Sequence, residues 1–297
     1  MTKNIKVIFI MSQGHSGSTF LGLILGSHPE IFGLGELARL EHHLPKVCGI
    51  CDSSCEYWTK RASLPVLRRH LSQGWNIQAI SREIHRFHRS IYSHLAEWFD
   101  YSIFVDSSKY PDWIRRQLRY RRNWQSMTPI LIHLTRDGRA VINSHLRKSP
   151  ERGIEAATSR WLRSTGKILK LYDEFEGPKY RLAYENLASR PEEMISSLCR
   201  FLQINYFPDM LNYWEHEHHQ IGGNTGARSL ISQKDAENHG SQAVKPGEWH
   251  DGYYKNMGRT IKLDLRWKTE LPPQYLEYFE RHAGELNRPF SFDGSEP

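Results

Sequence analysis

Between Ile5 and Leu25 the chain makes the transition that most restricts its fold. Ile5 to Met11 is β-branched, aromatic and apolar at every position except Lys6, which is the pattern of a strand buried on both faces. The turn Ser12-Gln13-Gly14-His15-Ser16-Gly17-Ser18-Thr19 follows at once. Phe20, Leu21, Leu23, Ile24 and Leu25 then recur at helical density until Gly26-Ser27-His28-Pro29 stops the run. A two-sided strand feeding a helix needs cover on both faces, so the start of the chain predicts an α/β fold. Further short strands are expected at Ser102 to Val105, Ile130 to Leu134 and Tyr180 to Ala183, each followed by a helical pattern. That alternation predicts βαβ units in a three-layer fold, a central parallel sheet flanked by helices. The 297 residues fit a single domain spanning 1–297.

From Asn76 to Asp100, Ile77, Ile80, Ile84, Phe87, Ile91, Leu95 and Trp98 recur every three or four residues and predict an amphipathic helix. After Gln220 the composition changes: Gly222, Gly223, Gly226, Gly240, Gly247, Gly252 and Gly258 lie among Asn, Ser, Lys and His. Residues 220–260 therefore read as a surface loop, expected to be mobile and to cover a ligand. No segment approaches the roughly 18 apolar residues of a membrane helix. The short run at the N-terminus lacks the features of a secretory signal, so the expected location is cytoplasmic. Forty Lys and Arg against 33 Asp and Glu leave a formal charge of +7, which suggests an acidic partner.

Two turns carry the chemistry. A glycine turn between a buried strand and a helix aims backbone N–H groups and the positive helix end at one point, a ready site for phosphate or sulfate. A nucleoside triphosphatase turn requires Lys before its Ser/Thr, whereas here Gly17 runs directly into Ser18-Thr19. The second turn, Leu134-Thr135-Arg136-Asp137-Gly138-Arg139-Ala140-Val141, also leaves a predicted strand. Arg136 offers a bidentate fork for a phosphate, and Ser144, two helical turns on, adds a hydroxyl. Two anion sites at two strand ends suit a nucleotide carrying two phosphate groups. Taken alone, the second turn also reads as a charged helix start capped by Asp137.

These residues resemble the sulfotransferases that use 3′-phosphoadenosine 5′-phosphosulfate (PAPS), a family with a P-loop-like fold, and the resemblance covers most of the chain. His15-Ser16-Gly17-Ser18-Thr19 matches the turn that in relatives grips the 5′-phosphosulfate. Arg136 to Ser144 matches the segment that grips the 3′-phosphate, and Tyr184-Glu185-Asn186-Leu187 with Pro191 is a third match, whose tyrosine lies near the adenine in relatives. The resemblance implies Gly14, His15, Ser16, Gly17, Ser18, Thr19, Arg136, Ser144, Tyr184 and Arg228 as donor-binding residues. Arg228 falls in a stretch, with His219 to Asn224, similar to a loop that closes on the cofactor. In Asp106-Ser107-Ser108-Lys109-Tyr110-Pro111, Lys109 matches a lysine that reaches the transferred group. Asp264-Leu265-Arg266-Trp267 resembles a structural stretch and is given no chemistry. The implied reaction moves a sulfuryl group from PAPS to a hydroxyl or amine of a small-molecule, carbohydrate or lipid acceptor. It leaves 3′-phosphoadenosine 5′-phosphate and requires no metal.

Glu36, just beyond the first helix, is the candidate base, because its carboxylate can face the glycine turn. A glutamate at similar spacing serves the tyrosylprotein-sulfating relatives. His43-Leu44-Pro45 looks like the base segment of the cytosolic phenol and steroid branch, but stands in the wrong place for it. His15 departs from the Arg or Lys of most relatives, so donor affinity is expected to weaken as the imidazolium titrates away. Cys48, Cys51 and Cys55 have metal-clip spacing and need a fourth ligand such as His42 or His43. Structural thiols or a local disulfide are preferred, and no metal site is assigned.

Two other classes compete. A P-loop kinase or nucleotide hydrolase would use Asp106 as its metal ligand but lacks the turn lysine. A nucleic-acid-binding protein would use Arg115, Arg116, Arg119, Arg121 and Arg122 with Tyr120 and Trp124; the cofactor reading expects no nucleic-acid partner.

Overall fold

The computed structural model describes residues 4–40, 48–51, 55, 57–58, 90–119, 127–231 and 259–294. Strand β1 (Ile5–Ser12) is buried along nearly its whole length, as its uninterrupted apolar run requires. It passes through the glycine turn into α1 (Ser18–Gly26), buried from Ser18 through Leu25. Then come β2 (Ile31–Gly35), α2 (Ile91–Phe99), β3 (Ile103–Lys109), α3 (Pro111–Leu118), β4 (Met127–Thr135) and α4 (Gly138–Lys148). The chain continues through α5 (Gly153–Glu174), β5 (Lys179–Ala183), α6 (Tyr184–Ser189), α7 (Pro191–Leu202), α8 (Trp267–Glu270) and α9 (Pro273–Asn287).

The five strands form one sheet in the order β2-β3-β1-β4-β5, with every pairing parallel. Helices flank it, as expected from the βαβ alternation. The order places β1 at the centre with β3 and β4 beside it. The turns that leave these three strands therefore gather at one sheet edge, the position where open α/β sheets bind ligands. A second apolar cluster joins α4, α5, α8 and α9 around Val141, Trp161, Trp267 and Phe279.

One strand differs from expectation. Residues 31–35 form a strand that is not among those expected, although two of its five residues are glycine. The packing supplies the reason: a Cβ on Gly33 would sit 3.4 Å from the Gly26 Cα, so α1 lies directly on this strand. Of the amphipathic pattern at 76–100, the part within the described residues is helix over Ile91–Phe99, ended by Asp100 at φ 55°. Among the described residues no helix is long and apolar enough to cross a membrane.

The segment after Gln220 also differs over its first part. Ile221 pairs with Gly35 in an isolated parallel bridge, residues 225–231 are helical, and Ile221, Ala227, Leu230 and Ile231 are buried. Residues 232–258 of the expected loop lie outside the described residues.

Candidate active site

The turn after β1 is shaped by backbone conformations that few residues accept. His15 sits at φ 66° and Gly17 at φ 83°. A Cβ on Gly17 would stand 2.7 Å from Cδ2 of Tyr184, so glycine is required twice over, by dihedral and by contact. Gln13 anchors the turn to α5 by donating to the Trp161 carbonyl at 3.0 Å and to Thr165 Oγ1 at 2.7 Å. Ser12 Oγ and Ser16 Oγ are buried with no hydrogen-bond partner among the described residues. A buried hydroxyl left so is costly and fits an anion as its partner.

Arg136, at the end of β4, lies behind this turn. Its guanidinium donates to the His15 carbonyl and to Asp264 Oδ2 (3.1 Å), and stacks 4.4 Å over the Tyr184 ring. Burial alone would raise the Asp264 carboxyl, but the Arg266 and Arg136 guanidiniums outweigh it and hold the group well below the usual range. Arg136 is thus already paired at two nitrogens, and its Nε has no partner among the described residues. The Tyr184 ring fills the space between Gly17 and Arg136, and its hydroxyl donates to the Lys262 carbonyl.

The rest of the Arg136–Ser144 segment divides between chemistry and support. Asp137 caps α4 by accepting from the Arg139 N–H at 2.9 Å, the structural role open to it in the sequence. Arg139 in turn pairs with Asp137 and Asp293, and Glu185 accepts from the Asp137 N–H at 3.0 Å.

The strand ends of β2 and β3 build the opposite wall. Glu36 is 3% exposed and paired with both Lys109 Nζ and Arg39, the latter at 3.2 Å. Burial pushes the Glu36 carboxyl up, but the charges and hydrogen bonds of Lys109 and Arg39 outweigh it, and the group titrates below its ordinary value. Lys109 holds φ 72° at the strand end. Asp106 is fully committed elsewhere: Tyr92 Oη, Trp113 Nε1 and the Ser108 N–H each donate to it at 2.8 Å. It braces the end of β3, which removes it as the free metal ligand a P-loop kinase would need.

Both walls face one cleft of about 850 Å³. Glu36, Lys109, Gly14, His15, Gly17, Ser18, Thr19, Arg136, Ser144, Tyr184 and Arg228 all line it, whereas Ser16 turns its hydroxyl inward behind the turn. Ten of the lining side chains are Lys or Arg and two, Glu36 and Asp264, are carboxylates. Such a surplus concentrates a polyanion. Arg228 stands at the rim, donating to the Gly49 carbonyl.

Gln13, Arg147, Asn224, Asp264 and Arg266 also line the cleft and are not among the site residues expected from the sequence. Asp264 and Arg266 correct the reading of their stretch as structural only, since both line the cleft, while Trp267 is the buried residue expected. The Asp-x-Arg pattern was the available signal; its partner Arg136 lies 128 residues away. Asn224 donates its backbone N–H to Thr19 Oγ1 at 3.0 Å, closing the segment after Gln220 onto the turn. In the arginine cluster, Arg115 pairs with Glu174 and Arg116 lies 4.6 Å over Trp113. Arg121, Arg122, Tyr120 and Trp124 lie outside the described residues.

The cysteine segment meets a different residue from the one expected. His42 and His43 lie outside the described residues, and the histidine that the fold brings to Cys48, Cys51 and Cys55 is His219. The cysteines are not disulfide bonded.

A family profile described as "Sulfotransferase family" matches residues 7–209. A Caenorhabditis briggsae protein named "Putative protein-tyrosine sulfotransferase" is 25% identical over 223 residues, 73% of this chain and 71% of that protein. Among solved structures, the "Sulfotransferase Domain from the Curacin Biosynthetic Pathway" superposes with a TM-score of 0.58 at 21% identity, over 95% of this chain and 97% of that one.

Proposed function

The chain belongs to the sulfotransferase family, and on that premise we propose that it moves a sulfuryl group from PAPS to a hydroxyl of an acceptor bound in the same cleft. When bound, the nucleotide supplies an activated sulfuryl group and a phosphate leaving group. The turn amides of 14–19, Arg136 and Ser144 are the residues that would hold it. The observation that carries this reading is the convergence of two anion-binding turns and an ionised Glu36–Lys109 pair on one strongly cationic cleft.

The chain's own groups divide the work. Glu36, ionised and buried, accepts the proton of the acceptor hydroxyl. Its depressed pKa makes it a weak base while Lys109 is bound to it. Lys109 is therefore a shared group: a second anion in the cleft competes for its ammonium, and as Lys109 turns to that anion the Glu36 carboxylate becomes more basic. Base strength is thus linked to occupancy of the donor site. Lys109 and the turn amides, from opposite walls of the cleft, then face the charge that develops on the transferred oxygens.

Isothermal titration with 3′-phosphoadenosine 5′-phosphate tests the donor reading, with ATP and ADP run with and without magnesium. Tight binding that needs the 3′-phosphate and no metal is expected. Binding of magnesium–ATP with indifference to the 3′-phosphate would transfer support to the kinase reading.

A further inference from the structure

Behind Glu36, outside the cleft, four side chains turn their donor atoms toward one point. The sulfurs of Cys48, Cys51 and Cys55 and a ring nitrogen of His219 all lie within 4.8 Å of one another. His219 Nδ1 is 3.3 Å from both the Cys51 and the Cys55 sulfur. A tetrahedral zinc ion with Zn–S bonds of about 2.3 Å and a Zn–N bond of about 2.0 Å sets its donors roughly 3.5–3.8 Å apart. Small inward adjustments would bring the four donors onto such an ion.

The surroundings match what a metal requires of its ligands. His219 Nε2 is 2.7 Å from Glu217 Oε1, so the ring proton belongs on Nε2 and the Nδ1 lone pair faces the sulfurs. The Cys51 N–H donates to Cys48 Sγ at 3.3 Å, a bond that favours the thiolate. Tyr57 stacks on the His219 ring at 3.9 Å, and Trp58 Nε1 donates to the His219 carbonyl, fixing the imidazole from two further directions. Three thiols cannot pair off as a disulfide without leaving one over, whereas one ion satisfies all four donors together.

We propose that Cys48, Cys51, Cys55 and His219 form a structural zinc site that holds the 48–58 segment against residues 217–221. Four protein ligands close the coordination shell, so the ion has no open position for substrate. Its effect reaches the cleft through the backbone. Gly49 N–H donates to the Gln220 carbonyl at 2.8 Å, Ile221 N–H to the Leu34 carbonyl at 2.8 Å, and Glu36 N–H to the Ile221 carbonyl at 2.6 Å. The ion would thereby pin the isolated bridge at Ile221, whose carbonyl accepts from the Glu36 N–H. The inference does not depend on the identity of the sulfuryl donor.

The test is metal analysis of the full chain, expressed without a metal-binding tag and purified without chelator. One zinc per chain is expected, together with thiols that react with a disulfide reagent only after a mercurial displaces the metal. Cobalt grown into the protein in place of zinc should show the visible bands of a tetrahedral thiolate site. Cys51→Ser and His219→Ala should each lose the metal, His219→Cys should retain it, and Cys199→Ser, buried away from the cluster, should keep full occupancy. If those variants fail to fold, the wild-type stoichiometry and cobalt spectrum still decide. Zinc below about a tenth of an equivalent, iron in its place, an intact-mass loss of two hydrogens that marks a disulfide, or zinc retained in Cys51→Ser and His219→Ala would each overturn the assignment.

Discussion

The two walls of the cleft are built on different principles. On the β1–β4 side, the turn 13–19 and Arg136 follow their strands directly and Ser144 lies nine residues beyond β4 on α4, so local sequence places them. On the β2–β3 side, Glu36 follows a glycine-bearing strand and depends on distant partners: Lys109 from β3, and Ile221, whose carbonyl accepts from the Glu36 N–H. On the function proposed above, the first wall is a preformed anion cradle with its charges locked, as in Arg136 with Asp264. The second keeps a charge pair that a ligand can rearrange. A stable cradle beside a rearrangeable pair is suited to a reaction in which one substrate is held and the other is activated.

Substitutions should separate the walls. Glu36→Gln is expected to lower sulfuryl transfer to a screened hydroxyl acceptor by about 10²–10⁴-fold. Nucleotide affinity should hold or tighten, because Lys109 is released. Transfer that survives this change would remove Glu36 as the base. Arg136→Ala should weaken 3′-phosphoadenosine 5′-phosphate by roughly 10- to 100-fold, the equivalent of one charged hydrogen-bonding group. Equal affinities for wild type and variant in calorimetry would break the assignment of that wall to the donor.

Gly17→Ala tests the shape of the cradle. With φ at 83° and Tyr184 Cδ2 2.7 Å from the new Cβ, it should lower stability by about 1–3 kcal/mol, read as a reduced midpoint of thermal unfolding. An unchanged midpoint would mean that Tyr184 is not held against the turn.

Acid should weaken the fold in a defined window. Burial lowers His133 to about 3, and His145 and His218 to about 4, from an ordinary 6.5. Below pH 6.5 the unfolded chain takes up protons that these folded histidines refuse, so stability falls as pH drops from 6.5 toward 4. The depressed carboxyls of Glu36 and Asp264 act the same way further down: their ion pairs contribute above the ordinary carboxyl range and are lost as pH falls through the folded values. Denaturant midpoints that stay flat from pH 7 to 4 would contradict this burial pattern. The smallest effect is expected at His15, whose substitution by Arg should flatten the decline of nucleotide affinity toward alkaline pH; a wild type already flat over that range would leave His15 without a charge role.

The sequence by itself determined the parallel sheet and the glycine turn that leaves its central strand. A short, β-branched apolar run without polar alternation, closed by a glycine turn, fits a two-sided strand that leads into a helix. Those arguments need no partner more than a few residues away, and β1, β4 and β5 lie close to where they were expected, with β3 running on to Lys109. Tertiary structure decided the rest. The glycine-bearing stretch 31–35, assigned no strand from the sequence, is a strand on whose Gly33 α1 packs. Asp264 became the partner of Arg136 across 128 residues, and His219 rather than a neighbouring histidine met the cysteines across 164. Charge pairing and metal-ligand geometry act through space, so separation along the chain gives no signal for them until the sheet has brought its strand ends together.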